Sequence, residues 1–328
     1  MASRSFTVLG IALLIALAAP ASASYAGDKP LTTVMADEIG GGYAFTLGNS
    51  TYSGTLEPGD TYTVAFEQTL PADARITDAR AYVYWAWSRV GQQAVYPAMQ
   101  VALPGVGRQE LNRSQRYVDS KGFVSSNDFF SGMDVYPLPA AAVAKNPATV
   151  TVANAADDNT SFVVQGVGLL IVYESPSSPQ GMLWVKEGCD MLYSSYGVQP
   201  EMATNRIEFA GAVDTSAVRS ATLQLVAPSG GYTRTDVPQK NAVTVNRNTG
   251  DRLPAFIEVI LEALFPGYNG REWTDAFDAT EQTQVGTDTR DIAPYLRSRE
   301  NIVTVRDNGD YLLLTNAFLW IDLGEEQA

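Results

Sequence analysis

The chain has no histidine and a single cysteine in 328 residues. Without imidazole there is no side chain that titrates near neutrality by default, no Ser-His or Cys-His dyad, and no supply of the commonest zinc ligand. Most hydrolytic mechanisms are thereby excluded, leaving the paired carboxylates of a glycosidase or calcium held by Asp, Asn and carbonyl oxygens. The acidic loops at Asp157–Asn159 and Asp307–Asp310 lack the ligand spacing of known calcium loops and read as solvated turns. No catalytic, cofactor-binding or metal site is assigned. The lone thiol, Cys189, has no internal partner, so it is either buried or a candidate intermolecular disulfide. Basic residues are scarce as well: 22 Lys plus Arg against 36 Asp plus Glu give a formal charge of −14, which repels phosphate backbones and anionic membranes. Nucleic acid is therefore excluded as a partner.

Long apolar runs are missing beyond the amino terminus. Arg4, the apolar Val8–Ala19 and the small-residue Ala21-Ser22-Ala23 have the order of a secretory leader, predicting a signal peptide over residues 1–24. No later segment approaches the roughly 20 uninterrupted apolar residues of a membrane span, and Leu323–Ala328 is polar. A secreted protein of the extracellular cell envelope is expected, with no membrane insertion after cleavage.

What is present is a β composition: 45% hydrophobic, 10% aromatic and only 18% charged, with 16 tyrosines. Turn residues recur about every ten positions, from Gly40-Gly41-Gly42 through Pro58-Gly59-Asp60 and Ser229-Gly230-Gly231 to Asn308-Gly309-Asp310. Between them lie short runs rich in Val, Tyr, Trp and Thr, predicting strands at Thr61–Gln68, Arg80–Trp87, Thr149–Ala153, Phe162–Tyr173, Arg206–Phe209, Thr222–Val226, Ile302–Arg306 and Leu312–Asp322.

Part of the chain is written twice. Aligning Thr61–Trp87 with Thr204–Ala227 matches Val64 to Ile207, Phe66 to Phe209, Ala79 to Ala221 and Val83 to Leu225, and later motifs follow in the same order. The expected fold is all-β, two tandem β-sandwich or jelly-roll-like units, residues 25–174 and 182–328, joined by the Ser- and Pro-rich linker 175–181. A single sandwich shared by both halves is the alternative. One inserted helix is predicted at about 253–265 (Leu253 to Phe265), with Ile257, Ile260, Leu261 and Leu264 on one face and Glu258 and Glu262 turned away. Short helical turns are expected at Pro139–Lys145 and Pro294–Arg299, capped by Asp134 and Asp291.

Duplication favours scaffolding over catalysis. Tyr82–Trp87 is apolar on both strand faces, which suits core packing or a subunit contact. Val167, Leu169 and Leu170 in one run and Leu312, Leu313 and Leu314 in another belong to long, weakly charged, proline-free strands suited to edge pairing, so they are candidate assembly positions. Sequons at Asn49, Asn112 and Asn159 are candidate glycosylation sites.

Tyr25-Ala-Gly-Asp-Lys-Pro-Leu31, Gly40-Gly-Gly-Tyr43, Ala79-Arg-Ala-Tyr-Val-Tyr-Trp85, Gly168-Leu-Leu-Ile-Val-Tyr-Glu174 and Trp184-Val-Lys-Glu-Gly188 resemble a family of secreted methanogen surface proteins of unassigned function. That family includes the amyloid-like archaeal sheath protein, and the likeness spans nearly the whole mature chain. The resemblance implies a non-enzymatic structural protein that self-assembles through β-sheet edges into a sheath or surface layer around an archaeal cell. Its principal partner would be itself, with glycans as possible further partners. The alternatives are a carbohydrate-binding or adhesive module, with Trp184 and Trp273 as exposed aromatics, and after it a glycoside hydrolase.

Overall fold

Alternation of polar and apolar residues sets the short strands: in Thr61–Phe66, Val64 and Phe66 are buried while Thr61 and Thr63 face solvent. Longer strands are apolar on both faces and are covered on both, as in Ser161–Glu174, where only the last two residues are partly exposed. The computed structural model describes residues 29–104, 109–121, 130–195, 197–232, 238–247, 254–265 and 267–324. The predicted leader and the carboxyl-terminal 325–328 lie outside these.

The first half contributes β1 (Thr32–Thr46), β2 (Thr55–Leu56), β3 (Thr61–Phe66), β4 (Arg75–Val90), β5 (Gln93–Ala94) and β6 (Met99–Leu103). It continues with β7 (Gln109–Leu111), β8 (Gln115–Asp119), β9 (Phe130–Pro137), the short α1 (Ala140–Val143), β10 (Ala148–Asn154) and β11 (Ser161–Glu174). The second half supplies β12 (Gln180–Leu192), β13 (Thr204–Phe209), β14 (Ser220–Pro228), β15 (Asn241–Val245), α2 (Ala255–Leu264) and β16 (Arg271–Thr274). β17 (Val285–Asp291), β18 (Asn301–Asp307) and β19 (Leu312–Asp322) complete it. The fold is all-β, with every predicted strand present.

An 11-stranded sheet runs β17-β14-β19-β12-β1-β11-β4-β9-β8, with β2 and β5 attached to it. Two 4-stranded sheets, β3-β10-β6-β7 and β13-β18-β15-β16, cover its outer surfaces. One core lies between the first of these and β4 and β11, built on Phe66, Val83, Val150 and Leu169. A second lies between the other and β12, β14 and β19, built on Phe209, Leu223, Val305 and Leu319. A third, with Tyr82, Tyr84, Leu170, Leu183, Val185 and Phe318, packs the two arms of the large sheet against each other.

β1 joins the arms. Thr32–Gly40 pairs with β12, and Gly41–Thr46 pairs with β11. The switch needs glycine, because a Cβ on Gly41 would sit 2.0 Å from the Tyr173 carbonyl oxygen. Residues 175–179 of the expected linker are the β11–β12 connection, while Gln180 and Gly181 already belong to β12; the connection is pinned by Asp73, whose carboxylate accepts Ser175 Oγ at 2.7 Å and Ser177 Oγ at 2.9 Å. The halves are thus bound by a shared strand and a common core.

The third core is polar at selected points. Tyr84 donates to Asn316 Oδ1 at 2.9 Å, Tyr82 to Glu187 Oε1 at 2.9 Å and Tyr117 to Glu187 Oε2 at 3.3 Å, while Arg80 ion-pairs with Glu187 at 2.7 Å. Burial raises Tyr82 and Tyr84 well above the ordinary phenol range, and burial together with the Glu187 charge pushes Tyr117 up to about 12. A raised folded pKa means stability intact below the unfolded value of about 10 and lost as pH climbs through the folded values. Alkaline titration of the wild type against Tyr82→Phe should therefore assign to Tyr82 an absorbance step that appears late and together with loss of near-ultraviolet dichroism. A Tyr82 step already complete near pH ~10 with the fold retained would contradict that burial.

Candidate functional site

The six predicted assembly residues lie in the interior. Val167, Leu169, Leu170, Leu312 and Leu314 are completely buried and Leu313 nearly so. β11 lies between β4 and β1, and at Val167, beyond the end of β1, the Ser50 hydroxyl satisfies both backbone groups at 3.0 Å. Leu312–Leu314 pair with Leu192–Asp190 of β12; Leu312 and Leu314 enter the second core and Leu313 a satellite cluster with Cys189. The expectation of joining edges at these strands is corrected: their apolar character on both faces serves layers packed above and below. The true end strands of the large sheet, β17 and β8, carry Asp288, Arg290, Asp291, Arg116 and Asp119, the charged edges that resist strand addition.

Cys189 sits in the irregular stretch of β12 between Glu187 and Asp190, 3% exposed, its thiol directed at the Ser131 carbonyl at 3.9 Å. Burial, with the nearby Asp119 and Asp190 charges, pushes the thiol far up. A buried thiol held protonated is poorly placed to meet a second subunit, and the intermolecular bridge gives way to an internal packing role.

Beside it is a buried ionic cluster absent from the sequence reading. The Lys121 ammonium contacts Asp190 Oδ1 and lies 3.0 Å from Asp119 Oδ2, with side-chain exposures of 0%, 0% and 1% for Lys121, Asp190 and Asp119. Asn205 Nδ2 donates to Asp190 Oδ2 at 2.6 Å, the Lys29 amide donates to Asp190 Oδ1 at 3.0 Å, and Met191 N donates to Asp119 Oδ2 at 2.9 Å. Lys29 Nζ, half exposed, closes the cluster 2.9 Å from Asp119 Oδ1. Burial raises the Asp190 carboxyl above its ordinary range despite Lys121 and Asn205. For Asp119 burial also acts upward, but Lys29 and Lys121 overcome it and leave the carboxyl low. Such unlike carboxyls around one amine were beyond sequence reasoning, because 69 residues separate Lys121 from Asp190.

Asn49, Asn112 and Asn159 are all exposed between strands, although the hydroxyl residue of the third sequon, Ser161, is buried. Trp184 is 2% exposed and donates to the Ala210 carbonyl at 3.0 Å, and Trp273 packs edge-on against Tyr295 at 5.8 Å. Neither is an exposed platform. An aromatic cleft of about 490 Å³ occurs instead where β1 passes from one arm of the large sheet to the other, lined by Tyr43, Phe45, Tyr173 and Trp320 with Gln224 and Thr289. Tyr43 reaches Gln224 Oε1 at 3.4 Å.

α2 also departs from expectation. Glu262 turns back to accept the amides of Gly267 at 2.8 Å and Asn269 at 3.1 Å, fixing the loop after the helix. That bond sets the helix rotation and turns Phe256, Val259, Ile260 and Leu264 outward at 67%, 69%, 51% and 66% exposure, with Phe265 beside them at 61%. Asp134, expected to cap a helical turn, is instead the wholly buried acceptor of Arg116, Arg113 and Trp85. Asp291 does meet the second turn, accepting Ala293 N at 3.0 Å.

Among the described residues no helix is long and apolar enough to cross a membrane, and no three metal-ligating side chains gather. No curated protein matches the chain. A family model described as "Protein of unknown function (DUF3344)" matches residues 24–322, nearly the whole sequence. The chain belongs to the DUF3344 family.

Proposed function

We propose that this protein is a secreted structural subunit that assembles with copies of itself into a sheath or surface layer around an archaeal cell, its two halves being duplicated units. The matching strand orders of the two outer sheets support the duplication. Support for a load-bearing block comes from the large sheet and the core between its arms, which leave no joint between the halves. The observation that carries self-assembly is the outward apolar face of α2. Its occupant is a second copy, since the first half presents its own exposed aromatics, Trp87 at 48% and Tyr96 at 56%. A patch of one half meeting a different patch on the next copy is a heterologous contact, which propagates.

Val259→Glu with Leu264→Glu places two charges in that face without disturbing a buried contact. The double variant should keep wild-type circular dichroism while its association weakens by at least about tenfold, ~1.4 kcal/mol, by sedimentation. Electron microscopy should show layers or fibres for the wild type and dispersed particles for the variant. Equal assembly by both would remove α2 as the joining surface.

The aromatic cleft supports a second reading, a glycan-binding surface module, since aromatic rings flanked by amide and hydroxyl groups suit sugars. A glycan array that reports binding lost in Trp320→Ala would favour it over the layer subunit.

A further inference from the structure

We propose that Lys121 and Asp190 become joined by an intramolecular isopeptide bond, formed without any other enzyme once the chain folds. The amine and the carboxyl are in contact and wholly buried, a second carboxylate, Asp119, lies on the same amine at 3.0 Å, and Asn205 holds the other carboxyl oxygen at 2.6 Å. Each part has a chemical role. Burial disfavours separated charge, so a proton passes from the Lys121 ammonium to Asp190, leaving a neutral amine beside a carboxylic acid. The Lys121 nitrogen pair attacks Cγ of Asp190, and the C=O electrons move onto Oδ2, where the Asn205 amide N–H groups stabilise the developing charge. Asp119, which Lys29 keeps ionised, takes the surplus proton from the attacking nitrogen and returns it to the departing Oδ1 hydroxyl. The C–O bond breaks and one water leaves. Amine plus carboxylic acid become amide plus water, Asp119 ends as it began, and no oxidant or activating cofactor enters.

Two effects drive a condensation that is sluggish between free molecules. The fold holds the reactants together, where effective molarities reach on the order of 10⁵–10⁸ M. The product also replaces a buried ion pair by a neutral amide, relieving a desolvation penalty that an ion pair recovers only in part. The bond would tie the turn after β8 in the first half to β12 in the second. It would be a crosslink indifferent to reductant in a chain whose only thiol is buried. This inference does not depend on self-assembly.

The test is the intact mass of the full, folded chain, followed by tandem mass spectrometry of its tryptic digest. We expect a mass one water below that of the sequence, no tryptic cleavage after Lys121, and a branched peptide joining the Lys121 and Asp190 segments. Lys121→Arg keeps the positive charge but cannot condense, so its mass should be that of its sequence; Asp119→Asn should lose all or most of the crosslink while retaining both reacting groups. A wild-type mass equal to that of its sequence overturns the proposal, whatever the variants do. So does a one-water loss located anywhere other than between Lys121 and Asp190.

Discussion

Asp134→Leu should destabilise the protein by about 3–5 kcal/mol, because it removes one side of a buried ion pair and leaves the other in place. Arg116 meets this carboxylate through two nitrogens, at 2.7 and 2.6 Å, and its side chain is only 15% exposed; Arg113 adds a third contact at 3.2 Å. Trp85 Nε1, 3.1 Å away, would lose its acceptor as well. After the substitution Arg116 retains the Pro97 carbonyl at 3.0 Å and the faces of Trp85 and Tyr96, but no counter-charge. Urea unfolding followed by tryptophan fluorescence should show a lower midpoint with an unchanged slope, the mark of lost stability without a change in exposed area. Asp134→Asn keeps the shape and some acceptor capacity, so it should fall between the two. A leucine variant as stable as the wild type would mean that the cluster offsets its own desolvation and nothing more.

Much of the architecture was legible because strands announce themselves locally. Alternation in Thr61–Phe66 and Thr204–Phe209 and the apolar stretches Ser161–Glu174 and Leu312–Asp322 gave the strands nearly to their ends. Both-face hydrophobicity was equally legible, but it has two physical solutions, a partner chain or a further layer of the same chain. Local sequence does not distinguish them. Here the second layer is the chain itself, and residues such as Leu170 and Phe318 meet across a separation no periodicity reports. The helix shows the same limit: its amphipathic period is plain, yet its rotation is fixed by the Glu262 bonds to the turn that follows. Lys121, Asp119, Asp190 and Asn205 look unremarkable singly, and only the tertiary packing of β8 and the turn after it against β12 and β13 makes them a reactive group. The aromatic cleft was missed because it forms where β1 leaves one arm for the other.

That crossing gives the second large effect. Gly41→Ala should destabilise the protein by at least ~3 kcal/mol, above the usual range for an added methyl group, and abolish folding if the remaining margin is smaller. The new Cβ would stand 2.0 Å from the Tyr173 carbonyl oxygen and 2.7 Å from Glu174 Cα, both backbone atoms of β11, so no side chain is available to give way. Relief requires β1 and β11 to part where Gly41 N also donates to the Pro179 carbonyl at 3.1 Å, and where the Ser175 amide meets Gly40 O at 2.9 Å. The neighbours make internal controls. A Cβ on Gly40 would meet the end of the Gln180 side chain, and one on Gly42 would meet the Tyr173 hydroxyl at 2.9 Å, groups that swing aside. Thermal melts should therefore rank Gly41→Ala far below Gly40→Ala and Gly42→Ala, with the last two close to the wild type. Because β1 is the strand common to both arms, the Gly41 variant should lose both halves in one transition. Two separate melting steps would show that either half folds without the crossing strand, and three equal variants would show that the approach of β1 to β11 is looser than 2.0 Å implies.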